Sequence, residues 1–156
     1  MMSRVKNGMI AGVAATIVVS VLEAVNMFAL KMFPAFPLIV AKMFGMTGNV
    51  AAGWALHIFM GIVILGAAFG LVYDRLPTKV PMAKGITFAV GAWVVLMIYV
   101  IMIVPGQRIL PSGGFDIIAW MLATHAVYGA VLGATYNRLL QRDKHHVHPV
   151  GAAPAH

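Results

Sequence analysis

Cysteine is absent from the 156 residues. That excludes disulfides, thiolate metal sites, iron–sulfur ligation and covalent haem attachment through a CxxCH motif. Acid is scarce as well, with 4 Asp and Glu against 11 Lys and Arg. No two carboxylates stand where they could share general acid/base hydrolysis. The chain also lacks a GxSxG turn, a P-loop, an HExxH helix and any Ser/His/Asp grouping, so no nucleophile is set up. The net charge of +7 could suggest nucleic acid, but no basic face interleaved with aromatics exists to carry it. These gaps predict a protein that is not an enzyme and takes no nucleic acid as partner.

What fills the chain is apolar: 62% hydrophobic and 10% charged residues, with a mean hydropathy of +0.93, outside the range of soluble domains. The apolar residues gather in four runs, at about 8–32, 51–73, 82–104 and 115–139, each of about 23–25 residues where a bilayer core needs about 20. The spacing predicts an all-α bundle of four transmembrane helices over residues 1–140, with a mobile cytoplasmic tail over 141–156 and the lipid bilayer as its first partner. Basic residues alternate in side. Arg4, Lys6, Arg75, Lys79, Lys84, Arg138, Arg142 and Lys144 fall on one side, and only Lys31, Lys42 and Arg108 on the other. The positive-inside rule then places both termini in the cytoplasm, as in a bacterial inner-membrane protein. Arg4 and Lys6 could open a signal peptide. The apolar stretch behind them is too long, and no small-x-small site closes it, so a retained first helix is expected.

The longest break, residues 33–53, contains Pro34 and Pro37 and then an apolar segment, Leu38–Phe44, that carries Lys42. It reads as a short interfacial helix between spans one and two. The break 74–81 is closed by Pro77 and Pro81, and the outer break 105–114 by Pro105 and Pro111. An internal repeat is visible. Gly66-x-x-x-Gly70-x-x-Tyr73-x-Arg75-Leu76 recurs as Gly129-x-x-x-Gly133-x-x-Tyr136-x-Arg138-Leu139, with a fainter echo of Lys6/Gly8 in Lys84/Gly85. Two related hairpins follow from it. Glycines four apart let helices approach closely in lipid, so Gly66, Gly70, Gly129 and Gly133 are the expected packing residues, within the bundle or at the seam of a homo-oligomer.

The opening Ser3-Arg4-Val5-Lys6-Asn7-Gly8-Met9-Ile10-Ala11-Gly12 is joined by Gly53-Trp54-x-x-His57, Arg75-Leu76-Pro77 and His125-x-x-Tyr128-Gly129-x-x-x-Gly133. Together these resemble a family of small bacterial four-helix membrane proteins known only as a domain of unknown function. The resemblance covers nearly the whole chain. It implies the bundle and a bacterial inner membrane, and it implies no activity.

Counting from the cytoplasmic ends at about 1.5 Å per residue puts Glu23, His57, Tyr99 and Trp120 in one layer, about 22–24 Å deep. Glu23 is the one acid inside an apolar run, on a stripe with Thr16 and Ser20. A carboxylate there must be held or neutralised, and His57 on the next helix is the expected partner. Such a pair serves either as a clasp between helices or as a protonatable site in a proton, ion or quinone path. Two intramembrane histidines, His57 and His125, are also the minimum for bis-histidine haem b. Against haem, they differ in depth by about 7 Å, the repeat pairs His57 with Trp120, and His57 lies half a turn off the Gly66 face. The 12 methionines, among them Met27, Met32, Met43, Met46, Met60, Met102 and Met121, could suit Cu(I) but read as adaptable filler. His145, His146, His148 and His156 form a tract of weak metal-binding character. The expected function is a non-catalytic membrane accessory or scaffold protein without cofactor, a subunit of a larger complex. Electron transfer or proton/ion transport through Glu23, His57 and His125 is the alternative.

Overall fold

The computed structural model describes residues 2–103 and 115–147. The outer break, with Arg108, and the end of the tail, with His148 and His156, lie outside the described residues, as do the side chains of His145 and His146. Among the described residues there is no strand. Four long helices, α1 (Met2–Leu30), α3 (Val50–Arg75), α4 (Pro81–Ile103) and α5 (Phe115–Val147), are joined by the short α2 (Phe36–Met43). All four are long and apolar enough to cross a membrane. Their outward faces fit that: Ile17, Val95, Ile98 and Phe28 are exposed to whatever surrounds the bundle. Four such helices make this a membrane protein, each satisfying its own backbone polar groups as lipid requires.

The ends of the helices follow from local chemistry. Asn49 caps α3, its side chain accepting the Ala52 N–H at 2.9 Å. Pro81 opens α4, where its missing N–H costs nothing. Two termini run further than composition alone suggests. α1 is helical from Met2, where Arg4 pairs with Asp74 at the end of α3 and Asn7 donates to Asp143 at 2.7 Å. α5 continues as helix through Gln141 to Val147, into the first part of the expected tail. Asp143, bonded to the buried Asn7, ties that last stretch to the start of α1. Arg4–Asp74 is half-exposed on both sides and adds little.

The bundle is zipped where backbones touch. A Cβ on Gly8 would strike the Gly66 carbonyl and the Gly70 amide; a Cβ on Gly85 would strike the Gly129 carbonyl and the Gly133 amide. In the reverse direction Gly66 meets Gly8 and Gly129 meets Gly85, while Gly70 meets the Arg4 carbonyl and Gly133 the Pro81 carbonyl. The two helix pairs therefore use the same contacts, position for position. α1 and α5 pack together across the middle. The core they share holds Ala11, Ala15, Val19, Phe69, Leu132 and Tyr136. Near the end that carries both termini, Phe69, Tyr73, Phe88 and Tyr136 form an aromatic knot with centroids 4.6–5.4 Å apart. The Lys84 ammonium lies over the Tyr73 ring at 4.3 Å and donates to the Tyr73 carbonyl at 2.7 Å.

α3 is not uniform. Between Met60 and Leu65 it widens into a π-helical turn, in which the Gly66 N–H reaches back five residues to the Gly61 carbonyl. That carbonyl also accepts the Tyr128 hydroxyl of α5 at 2.6 Å. The seam makes a contrast testable. Gly85→Val forces α4 off the α5 backbone and is expected to lose about 1–3 kcal/mol or more. Gly91→Ala, with nothing within 4 Å of the added carbon, is expected to be neutral or stabilising by up to about 1 kcal/mol. Heating the detergent-solubilised variants and measuring the fraction that stays folded checks both.

A capped apolar cavity between the spans

The end of the bundle away from the termini is hollow and covered. α1 closes with a second π-helical turn, Asn26–Leu30, ended by Lys31 in the left-handed region at φ 53, whose N–H reaches the Asn26 carbonyl at 2.6 Å. Pro34 and Pro37 then fold the chain back, so that α2 lies on α3 with Pro37, Val40 and Ala41 buried. At Gly53 the backbones of the two helices touch, against the Pro37 carbonyl. Gly45 and Gly48, both with positive φ, turn the chain into α3.

Two buried polar side chains hold this cover. Asn26, fully buried, accepts the Phe33 N–H and donates to the Phe33 carbonyl, both at 3.1 Å. Glu23, 2% exposed, accepts the Phe36 N–H through Oε1 at 2.8 Å, with Asn26 Nδ2 at 3.4 Å. Phe36 opens α2, where backbone N–H groups have no intrahelical acceptor and carry the positive end of the dipole. A carboxylate is a suitable cap there.

The expected Glu23–His57 pair does not form: among the described residues the one ion pair is Arg4–Asp74. The proline turn brings the orphan N–H groups of α2 to Glu23 before the imidazole reaches it. His57 is bonded one turn earlier on the same stripe, with Nε2 3.3 Å from the Ser20 hydroxyl. Its ring is boxed edge-on by Phe36 and Trp54 at 5.2 and 5.8 Å. Tyr99 corrects another expectation. It is 53% exposed and faces outward, because one layer of depth says nothing about which side of a helix a residue occupies. Trp120 does come inward, stacked on Phe33 at 4.7 Å.

Beneath the cover lies a cavity of about 150 Å³, the size of an engineered core cavity that takes up benzene. Glu23, His57, Trp93, Trp120, His125 and Tyr128 are among its walls, with Met43, Met60 and Met121. It thus brings together His57 and His125, which depth counting had set apart. The π-helical turn explains part of this: one residue beyond α-helical register changes a facing by about 100°, so the half-turn count from Gly66 to His57 does not hold. His125 is fixed by its Nδ1, 2.6 Å from the Met121 carbonyl, with its ring 6.1 Å from Trp93. Gly66, Gly70, Gly129 and Gly133 take no part in the cavity; each sits in an interhelical contact inside the bundle. Among the described residues no group of three or more His, Asp or Glu is placed to hold a metal ion.

Asn26 and Tyr128 were not legible as site residues. Asn26 had a usable signal, a second polar residue one turn after Glu23 in an apolar run. Asn26→Ala leaves the Phe33 N–H and carbonyl unsatisfied and is expected to cost about 1–3 kcal/mol. The loss should concentrate in the cover and appear as faster tryptic cleavage at Lys31 and Lys42 in mild detergent.

The match to known proteins is to a family alone. The profile of DUF6789, described as a family of unknown function, matches residues 2–147. No curated protein and no solved structure matches. With every described residue inside that match, and with the expected four-helix bundle in place, the protein belongs to the DUF6789 family.

Proposed function

We propose that the protein is a non-catalytic accessory or scaffold protein of the bacterial inner membrane, with both termini in the cytoplasm. Its working part, on this reading, is the capped cavity at the periplasmic end, and it acts as a subunit of a larger membrane complex or as a homo-oligomer. No resident cofactor is required. The charge asymmetry supports the orientation: Lys31 and Lys42 alone among the described basic residues lie at the capped end. The matched glycine contacts of the two helix pairs support an origin by duplication of one hairpin.

The observation that carries the reading is the employment of Glu23. Its carboxylate has an oxygen on the N–H of Phe36 in the first turn of α2 and sits beside Asn26. That is the work of a structural cap. A proton relay needs a carboxylate free to exchange partners.

One observation favours the rival reading, electron transfer or proton/ion transport through Glu23, His57 and His125: all three line one cavity. Its size speaks against haem b, since a porphyrin is far larger than the benzene-sized space described. The Nε2 of His57 is already engaged with the Ser20 hydroxyl.

Glu23→Gln separates the readings, because the amide oxygen can still accept the Phe36 N–H while the proton site is gone. The expected outcome is a protein that keeps its protease resistance and leaves host physiology unchanged; loss of a growth or proton-motive phenotype with the fold intact would instead establish the relay. Reporter fusions at both ends should be active only on the cytoplasmic side. Purification from native membranes in mild detergent should bring down partner subunits or a homo-oligomer, and no Soret band.

A further inference from the structure

The polar groups in the cavity wall share a property that their residue types do not announce: where the structure shows a proton committed, it is committed to the backbone. His125 Nδ1 lies 2.6 Å from the Met121 carbonyl, and a carbonyl only accepts, so Nδ1 carries the proton and the neutral ring keeps a lone pair at Nε2. The Thr124 hydroxyl gives its proton to the Trp120 and Met121 carbonyls at 3.1 and 2.9 Å. Tyr128 gives its own to Gly61 at 2.6 Å. Glu23 accepts the Phe36 N–H. What these groups have left to offer is lone pairs. The Trp93 ring stands 6.1 Å from His125 across the same wall, its buried indole N–H out of reach of the hollow.

We propose that the cavity binds a neutral single-ring aromatic molecule bearing a hydroxyl, a phenol, taken up from the bilayer. The inference rests on the reading of the cavity as the working part of the protein. The volume of about 150 Å³ admits one six-membered ring. The walls of tryptophan, phenylalanine and methionine suit an aromatic face. A hydroxyl supplies the donor that His125 Nε2 lacks in this wall. A quinone or an ether only accepts and leaves the lone pairs of the wall facing lone pairs. An anion meets them with repulsion and a large desolvation cost.

The test uses the full-length protein in phospholipid nanodiscs, titrated with phenol, anisole and toluene while tryptophan fluorescence and thermal stability are followed. These probes carry the donor and acceptor, the acceptor alone, and neither. Saturable binding is expected for phenol, with toluene and anisole weaker by about five- to tenfold, the ratio of one net hydrogen bond. His125→Phe keeps a ring and removes the lone pair, so phenol should fall to the toluene level while toluene is unchanged. Ala92→Phe, which fills the space from α4, should abolish saturable binding of all three and expose simple partition into lipid. Toluene binding as tightly as phenol would overturn the ligand class and leave the cavity reading standing. No saturable binding of any probe would overturn both. Should His125→Phe fail to fold, the three-probe ranking on the unaltered protein decides alone.

Discussion

Contact between backbones at glycine is the constraint on which the architecture depends. In lipid there is no water for apolar side chains to escape, so helices associate through close packing and polar contacts. At Gly8 with Gly66 and Gly70, and at Gly85 with Gly129 and Gly133, a single added carbon would collide with main-chain atoms. These seams lock the end that carries both termini. The aromatic knot around Phe69 and Tyr136 then fills the angle between the two helix pairs.

The cavity follows from where that packing stops. In the first pair the small residues continue one turn beyond Gly8 to Gly12, which meets Gly61, and a further turn to Thr16, which also meets Gly61. In the second pair the residue one turn beyond Gly85 is Ala89, still buried, but one turn further stands Trp93, facing His125. A tryptophan stands where the first pair has threonine, and its ring forms part of the cavity wall beneath α2. The polar cover is then needed because α1 has no glycine seam at that height. Glu23 and Asn26 supply hydrogen bonds in place of packing.

The spans, their order and the glycine contacts were legible because each is written in a run or a spacing. Length and hydropathy identify a span with no reference to its neighbours, and Gly66/Gly70 against Gly129/Gly133 is a pattern on a line. The site was legible only in part. Glu23, His57 and His125 stand out as polar residues in apolar runs, and all three line the cavity. Their partners did not follow, because a partner depends on how chain far away in sequence folds back. The N–H that Glu23 holds belongs to a proline turn thirteen residues later. Tyr99 failed for the opposite reason: depth was counted and facing was not, and an outward tyrosine has the same depth as an inward one. Neither π-helical turn has a sequence signature, so a strict 3.6-residue count drifts beyond each.

The π-helical turn in α3 has a wider consequence. A helix of constant pitch presents one stripe along its length and must serve the same neighbour from end to end. With its extra residue between Met60 and Leu65, α3 works as two segments out of phase. Gly66 and Gly70 lie against the α1 backbone on one side of the turn, while His57 on the other is bonded to Ser20 of α1 and also lines the hollow. The wider turn lets the cavity lining and the glycine seam face differently along one helix. Within that turn the Gly61 carbonyl also takes the Tyr128 hydroxyl of α5.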